Sequence, residues 1–387
     1  MRQGRDDDLN ALAGRDITII GAGVAGLCAA TAMAQRGAHV RVLERAEALR
    51  EVGAGLQISP NAGRVFDALG LGTALDQVSQ RSDGVILHDA RGRVVASLPL
   101  ARRRPGAAFR LVHRARLIEL LGRAASDAGT EIMLGKAAGA DVPAGTDLLV
   151  GADGLRSAVR EALNGAQTPF FTGQIAWRAL IHDDAPDSFA RVYMGPGQHL
   201  VSYRLAGGLR NIVAVREAAE WHEEGWSHED DPAHLRAAFA GVSGPVPGWL
   251  EQVSQVSIWG LFRHEVAAHW HDGRRVILGD AAHPTLPFMA QGAVMAIEDA
   301  WTLAACLDAF TDQSAALARY QAIRRPRALR LVAEANANAR NYHLSGAAAM
   351  LAHTALRGAS RLAPGLLMRR FDWIYDYDPI AETRGRQ

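Results

Sequence analysis

The 387-residue sequence has only two cysteines, almost no net charge and no long apolar run. Cys28 and Cys306 fall in segments with a helical pattern, so we expect both in the core, which fits a reducing compartment. A formal charge of +1 gives no electrostatic argument for binding nucleic acid. The first residues lack the apolar region of a signal peptide, and no apolar stretch is long enough to span a bilayer. We therefore expect a cytoplasmic enzyme with no nucleic-acid or membrane partner.

The most informative stretch of the sequence is residues 16–44, which has the pattern of a strand, a glycine-rich turn, a helix and a second strand. A β-branched run over residues 17–20 predicts the first strand, and the Ala-rich run over residues 24–36 predicts the helix. Three glycines between them have GxGxxG spacing: Gly21, Gly23 and Gly26. The pattern is typical of a dinucleotide-binding unit.

Each residue type in this unit has a physical role. Gly21 permits a sharp turn, Gly23 leaves room for a pyrophosphate to approach the backbone, and Gly26 permits close helix packing. The free N–H groups and the dipole at the helix start attract phosphates. Glu44, at the end of the second strand, is placed to accept hydrogen bonds from a ribose 2′-hydroxyl, which argues against a 2′-phosphate. The alternative is a glycine turn that binds nothing.

Two further strands end in acidic turns. Residues 148–150 lead to Asp153, whose role is either to cap the following helix or to hold a ligand or a nearby loop. Residues 275–279 lead to Asp280, and a long amphipathic helix is predicted from Gly292, because prolines disfavour helix before Gln291. The N-terminus of that helix is a second dipole close to an acidic residue.

The middle of the chain predicts a second, antiparallel sheet. Residues 83–98 have the pattern of a hairpin, and residues 173–215 alternate short strands with glycine turns. Four tryptophans, at positions 221, 226, 249 and 259, are interpreted mainly as packing residues rather than a pocket lining. The domain prediction follows: residues 14–80, 107–170 and 273–340 form one discontinuous domain, residues 81–106 and 171–272 form a substrate domain, and residues 341–387 form a C-terminal helical segment.

Three smaller expectations concern local structure. The loop after residue 51 feeds a surface helix that begins at Pro60 and Asn61. A helix spans residues 112–128. The basic run at residues 102–104 is interpreted as a solvated loop, with a minor role in steering anions as the alternative.

Three separated motifs resemble one family. They are GAGVAG at residues 21–26, GADGLRSAVR at residues 151–160 and LGDAAHPTLPFMAQGAVMAIEDA at residues 278–300. Together they resemble the single-component FAD-dependent aromatic hydroxylases, closest to the salicylate hydroxylase and 6-hydroxynicotinate 3-monooxygenase group. The resemblance implies an α/β protein. Its Rossmann-like FAD-binding domain, of the p-hydroxybenzoate hydroxylase-type fold, would be interleaved with an antiparallel β-sheet substrate domain and followed by C-terminal helices.

The resemblance also implies roles for individual residues in binding FAD. Glu44 would bind the adenosine ribose with Arg45 nearby, and Asp280 would bind the ribityl chain. Asp153 would lie near the pyrophosphate and the nicotinamide approach. Arg114 would contact the FAD, and Pro287 would border the space where oxygen meets the substrate ring. The backbone N–H groups of Gln291, Gly292 and Ala293 would donate to the flavin N1–C2=O edge.

The implied reaction uses NAD(P)H, O2 and a small aromatic substrate. Hydride reduces the bound flavin, a C4a-hydroperoxide forms, and an electron-rich ring carbon attacks its distal oxygen. Because a phenolate attacks better than a phenol, a base near the substrate hydroxyl is expected. His199 and Tyr203 are the candidates, since strand alternation places them on one face. The alternative is that His199 is a surface strand residue and that Tyr203 packs within the sheet. His283 is interpreted as a structural residue, and His113 as a helix-start residue.

Several alternatives to this function stay open. The same scaffold could act on a larger polyketide or terpenoid substrate. A NAD(P)-dependent dehydrogenase would use residues 21–44 and leave Asp153 and Asp280 idle, and a flavin module could signal redox state without catalysis. A single dinucleotide fingerprint implies that NADH or NADPH binds transiently. No metal site is expected, and the protein is predicted to be a monomer or a homodimer.

Overall fold

The computed structural model describes residues 10–49, 55–221 and 228–384. The first part of the predicted loop after residue 51, and Trp226, lie outside those ranges. The strands of the described residues, in chain order, are β1 (Asp16–Ile20), β2 (His39–Leu43), β3 (Gly55–Ile58), β4 (Ser79–Ser82), β5 (Gly84–Asp89), β6 (Val94–Leu98), β7 (Phe109–His113), β8 (Glu131–Met133), β9 (Leu148–Gly151), β10 (Phe170–His182), β11 (Phe189–Gly195), β12 (Gln198–Leu205), β13 (Leu209–Glu217), β14 (His228–Asp230), β15 (Val256–Arg263) and β16 (Arg275–Ile277).

The helices cover both sheets and form the C-terminal part. In chain order they are α1 (Val24–Ala34), α2 (Pro60–Ala68), α3 (Gly72–Val78), α4 (Leu100–Arg103), α5 (Arg114–Asp127), α6 (Ala158–Asn164), α7 (Pro232–Ala238), α8 (Val246–Glu251), α9 (Gly292–Ala309), α10 (Gln313–Tyr342), α11 (Gly346–Leu362), α12 (Pro364–Arg369), α13 (Asp372–Tyr375) and α14 (Pro379–Arg384). None of these helices is long and apolar enough to cross a membrane.

The first sheet is parallel and has the strand order β16-β9-β1-β2-β8. The central strands β1 and β9 are buried and apolar, as expected of a parallel sheet covered by helices on both faces. Gly37 follows α1 with φ +85°, the conformation of a helix C-terminal glycine. The predicted strand, glycine turn, helix and second strand of residues 16–44 are therefore confirmed.

The second sheet has eight strands in the order β14-β15-β10-β13-β12-β11-β5-β6. Its hairpin β5–β6 is confirmed. The sheet is mixed rather than purely antiparallel, because β5 pairs with β11 in parallel. One face packs on α7 and α8. The other face packs on Leu286, Phe288 and α10, so it faces the segment that leads into α9.

A third, small sheet joins the two halves. Strand β7 pairs with both β3 and β4. The Gly55 N–H donates to the Asn211 side-chain oxygen of β13 at 2.8 Å, which ties β3 to the second sheet. Because Val112 and His113 belong to β7, the helix predicted over residues 112–128 begins only at Arg114, and His113 is its N-cap residue.

Two helices are more deeply buried than predicted. Helix α2 was expected at the surface, but most of its residues are buried against α9 and α14. Helix α9 was expected to be amphipathic, but it is buried on nearly all sides because it runs through the centre between α1, α2 and α10. The start of α9 at Gly292 is as predicted.

The prediction of a solvated basic loop at residues 102–104 is wrong. Arg103 and Arg104 form ion pairs with Asp372, and Arg104 also pairs with Asp376. The Arg104 guanidinium is buried and lies 5.3 Å from the ring centre of Tyr375. These arginines therefore fasten the aromatic C-terminal segment to the body of the protein.

Candidate active site

The GxGxxG turn leaves open space at one glycine and none at the other two. Gly21 has φ +100°, and a Cβ there would lie 2.5 Å from the Ala152 carbonyl oxygen. A Cβ on Gly26 would lie 1.9 Å from the Gly21 oxygen. A Cβ on Gly23 would meet nothing within 4 Å, and α1 begins there without a side-chain cap. The turn therefore offers unblocked backbone N–H groups beside open space, as a phosphate requires.

Glu44 holds the turn from the neighbouring strand end. One of its carboxylate oxygens accepts a hydrogen bond from the Ala22 N–H at 2.7 Å, and the other accepts one from the Ala46 N–H at 2.9 Å. The side chain is half-buried and Arg45 beside it is exposed. Glu44 is thus fixed at the edge of the glycine turn, where a ribose of a bound nucleotide would lie.

Asp153 caps a helix with one carboxylate oxygen only. The Ala158 N–H donates to Oδ2 at 2.9 Å, while Oδ1 is buried with no hydrogen-bond partner in the described structure. Burial raises the pKa of this carboxyl group, and hydrogen bonds from Ser157 and the α6 N-terminus oppose the rise. Asp153 therefore supports the start of α6, whose N-cap residue is Ser157, and one oxygen remains for a further donor.

Arg114 and Asp280 lie close enough for their charges to interact. The Asp280 side chain keeps access to solvent, although many protein atoms surround its carboxyl group. Burial raises the pKa of Asp280, and the nearby His283 and Arg114 lower it. Burial lowers the pKa of Arg114, and Asp280 raises it. The start of α5 and the turn after β16 thus bring opposite charges close together.

The start of α9 is held in a strained and well-anchored conformation. Ala290 has φ 52°, the only left-handed non-glycine residue in the described ranges. The Gln291 amide donates to Ser59 Oγ at 3.1 Å and accepts from the Asn61 amide at 3.2 Å. Because no side chain caps α9, its first N–H groups remain available. A helix N-terminus of this kind stabilises negative charge.

Behind this helix start lies a buried ionic network. Asp299 pairs with His283 and with Arg324, whose Nε lies 2.7 Å from the carboxylate, and accepts the Gly279 N–H at 3.0 Å. Burial alone would raise the pKa of Asp299, but His283 and Arg324 lower it to about 2. His283 is therefore held by a buried hydrogen bond to Asp299, which agrees with its interpretation from the sequence.

His199 and Tyr203 lie on the face of the second sheet that meets these elements, here called the inner face and defined by His199, Tyr203, Arg178 and Trp259. The His199 ring packs on Phe288, with centroids 5.0 Å apart. The Tyr203 ring packs on Gly55 of β3, where a Cβ would lie 2.8 Å from the hydroxyl. Both side chains are buried. The structure thus brings the two candidates to one surface, beside the segment that begins with the exposed Pro287.

Comparison with known proteins identifies the family. A model of the family described as FAD binding domain matches residues 15–335. 3-amino-4-hydroxybenzoate 2-monooxygenase PtmB3 of Streptomyces platensis is 35% identical, covering 94% of this chain and 96% of that protein. Aurachin C monooxygenase/isomerase of Stigmatella aurantiaca is 35% identical (83% and 88% covered). 3-hydroxybenzoate 6-hydroxylase of Polaromonas naphthalenivorans (strain CJ2) is 31% identical (94% and 96% covered). The chain belongs to the class A FAD-dependent aromatic hydroxylases.

Solved structures agree with this assignment. HpxO of Klebsiella pneumoniae in complex with FAD and uric acid has a TM-score of 0.78 and 25% identity, covering 94% of this chain and 98% of that chain. The predicted family, its fold and FAD as cofactor are confirmed, and the hydroxylase is an NAD(P)H-dependent flavoprotein monooxygenase. The dehydrogenase alternative and the non-catalytic alternative are wrong for a chain of this family.

Three observations on this chain fit FAD. Gly23 leaves space where a pyrophosphate approaches, Asp153 keeps one buried oxygen without a partner, and both α1 and α9 begin without side-chain caps. The term nucleotide cradle is used below for the glycine turn, Glu44, Asp153, Arg114, Asp280 and the N-terminus of α9.

Sequence reasoning missed Arg178 of the hydroxylase's inner face. Its Nε is buried with no hydrogen-bond partner in the described ranges, and its guanidinium lies 4.5 Å from the Trp259 ring centre. Burial and repulsion from Arg114 lower its pKa to about 10, with Tyr203 acting in the opposite direction. The available signal was a charged residue at an inward position of the apolar strand sequence GQIAWRAL.

Proposed function

We propose that this hydroxylase acts on a small phenolic or pyridinol carboxylic acid. The observation that carries the proposal is the unpaired buried Nε of Arg178 on the inner face, close to Tyr203. The amide nitrogen of Asn211, on the neighbouring strand, is also buried without a partner among the described residues. A carboxylate satisfies such donors because it accepts several charge-assisted hydrogen bonds.

The names of two relatives support the same substrate class. The 35% identical PtmB3 is named for an aminohydroxybenzoate, and the 31% identical Polaromonas protein is named for 3-hydroxybenzoate. Each of these compounds carries a ring hydroxyl and a carboxylate. The inner face offers groups for both: Arg178 for the carboxylate, and His199 and Tyr203 for the hydroxyl.

In this proposal the nucleotide cradle holds FAD as the sequence motifs indicate. Glu44 and Arg45 bind the adenosine ribose, the N-terminus of α1 beside Gly23 binds the pyrophosphate, and Asp153 supports that region. Asp280 binds the ribityl chain, Arg114 contacts the nucleotide, and the N–H groups of Gln291, Gly292 and Ala293 face the N1–C2=O edge of the flavin. When bound, FAD supplies hydride acceptance from NAD(P)H and the activation of O2.

The inner face then prepares the substrate. Burial and the neighbouring His343 hold the pKa of His199 well below its usual value, so its imidazole is neutral at pH 7 and accepts a proton from the substrate hydroxyl. Burial raises the pKa of Tyr203, so its hydroxyl stays protonated and donates a hydrogen bond. Pro287 and Phe288 close the space beside the ring and exclude water. The segments 81–106 and 171–272 act as the substrate domain.

One observation favours a second candidate, a larger substrate on the same scaffold. The relative named aurachin C monooxygenase/isomerase is as similar in identity as PtmB3. The buried Nε of Arg178 favours the acid, because a larger neutral substrate would leave this atom without an acceptor. Location in the cytoplasm and a monomeric or homodimeric state stay predictions.

The test is substrate-stimulated turnover by the FAD-loaded enzyme. Oxidation of NADH and of NADPH is measured with hydroxybenzoic and hydroxynicotinic acids, each paired with its methyl ester, and the product is identified by mass. We expect hydroxylated product from at least one acid and about tenfold or greater preference over its ester, the effect of one lost charge-assisted contact. Equal turnover of acid and ester, or product only from large neutral aromatics, would overturn the proposal.

A further inference from the structure

His199 is the first member of a hydrogen-bonded chain that leads out of the protein. Its Nδ1 lies 2.8 Å from Nε2 of His343, the C-cap residue of α10. Nδ1 of His343 lies 2.9 Å from a carboxylate oxygen of Glu217, at the end of β13. Three residues that are far apart in the sequence thus form one continuous path of hydrogen bonds.

The path runs from the buried inner face to solvent. The His199 residue is 1% exposed and the His343 side chain 3%, whereas the Glu217 side chain is 58% exposed. Glu217 also lines an open surface depression of about 420 Å³ together with residues 172–174 and 218–219. Water therefore reaches the outer end of the path. His199, at the inner end, contacts Phe288 in the segment that leads into α9.

The hydrogen-bond pattern fixes the direction of every proton in the path. An ionised carboxylate only accepts, so His343 carries its proton on Nδ1 and its Nε2 accepts. His199 must then donate from Nδ1 and leave its Nε2 as an acceptor. This Nε2, on the far side of the ring, makes no hydrogen bond to any residue of the described chain.

The charges around the path agree with this assignment. Burial and the neighbouring histidine hold the pKa of His199 well below its usual value, and burial lowers the pKa of His343 while Glu217 raises it. The other titratable group packed against the pair is Tyr342 of α10, whose raised pKa keeps it neutral. Both histidines are therefore neutral at pH 7, as a proton path requires.

We propose that His199, His343 and Glu217 form a proton relay that carries the substrate hydroxyl proton to solvent. The substrate O–H proton passes to Nε2 of His199, the Nδ1 proton of His199 passes to Nε2 of His343, and the Nδ1 proton of His343 passes to Glu217. Glu217 releases it to water, and reversal of the two imidazole tautomers resets the path. The relay rests on the proposed function, because it needs a substrate with an ionisable hydroxyl.

The β11–β12 turn holds the two outer members of the relay in place. The Gly197 N–H donates to the His343 carbonyl at 3.2 Å, and the Glu217 N–H donates to the Gly197 carbonyl at 2.8 Å. Gly197 has φ +63°, and a Cβ there would lie 3.3 Å from the Glu217 carboxylate. The turn that precedes His199 thus positions both partners through its backbone.

The first test reads the tautomers without any turnover. The histidine ring nitrogens of the ¹⁵N-labelled protein are recorded by NMR at pH 7, with His199 and His343 assigned through His199→Gln and His343→Gln. We expect both rings to be neutral and protonated on Nδ1, and the His343 signal to change in Glu217→Gln. Protonation of either ring on Nε2, or a charged ring at pH 7, would overturn the relay.

The second test reads the rate. Glu217→Gln blocks the final transfer, so we expect kcat to fall about tenfold, less than the roughly 10²- to 10⁴-fold effect of a general base that contacts the substrate, with KM, FAD affinity and flavin reduction unchanged. A larger solvent deuterium isotope effect on kcat is also expected. Glu229→Gln on β14 makes the same charge change at another exposed site and is the control.

The outcomes separate the two proposals. A wild-type kcat and isotope effect in Glu217→Gln would overturn the relay, whatever the substrate. If no aromatic acid is turned over by the wild type, the proposed function fails, and the NMR spectrum still decides the direction of the path.

Discussion

The nucleotide cradle and the inner face of this hydroxylase are built by opposite means. In the cradle, glycines and helix ends present backbone groups, and the space depends on side chains that are absent, as at Gly23. On the inner face, polar side chains such as the buried His199 and the half-buried Arg178 are proposed to supply the chemistry. The comparison predicts that added atoms damage the cradle, whereas removed polar atoms damage the inner face.

The sharpest way to break the comparison is to add one methyl group at two glycines. Gly26→Ala places a Cβ 1.9 Å from the Gly21 oxygen, so we expect a loss of about 3 kcal/mol of unfolding free energy or failure to fold. Gly23→Ala has open space, so the FAD-free protein should unfold like wild type while FAD affinity falls about tenfold. Urea unfolding and FAD titration measure both. Equal stability of the two variants would contradict the account.

The next largest effect concerns the ionic network behind the cradle. Asp299→Asn removes a buried charge that Arg324 and His283 need, so we expect a loss of about 3 kcal/mol at pH 7. Because the folded pKa of Asp299 is depressed from 3.8 to about 2, its contribution is full above about pH 4 and disappears as pH falls toward 2. Unfolding curves at pH 7 and pH 3 check this. A difference in unfolding free energy between variant and wild type that is as large at pH 3 as at pH 7 would refute this account.

Arg178 tests the chemistry of the inner face. In Arg178→Gln we expect KM for an aromatic acid to rise about 10- to 100-fold, since a charge-assisted contact is lost, with FAD affinity unchanged. Arg216→Gln removes the same charge from the opposite face of the sheet and should leave KM as in wild type. Lost FAD affinity in Arg178→Gln would instead assign this residue to the cradle.

The smallest expected effect tests the C-terminal attachment. Arg104→Gln removes the pairs with Asp372 and Asp376, so we expect about 1 to 3 kcal/mol less stability and faster hydrogen exchange over residues 372–377. Arg102→Gln, at the exposed neighbouring position, should stay within about 0.5 kcal/mol of wild type. Equal exchange in both variants would show that the aromatic segment does not depend on Arg104.

The cradle could be predicted from the sequence because its constraints are local. Gly21, Gly23 and Gly26 act within one turn, and spacing alone reveals them. Strand alternation likewise put His199 and Tyr203 on one face. Arg178, His343 and Arg104 act through contacts with residues remote in the chain. His199 and His343, for example, are 144 residues apart, and periodicity carries no information on such contacts. Buried α2 and α9 were misjudged for the same reason.

The central claim is that cofactor binding and substrate activation depend on separate sets of residues. FAD affinity and product yield per NAD(P)H are measured together for Asp280→Ala and Tyr203→Phe. The account predicts weakened FAD retention and activity in Asp280→Ala, and normal FAD affinity and flavin reduction with slowed hydroxylation in Tyr203→Phe. Wild-type flavin content in Asp280→Ala, or unchanged product yield in Tyr203→Phe, would contradict it.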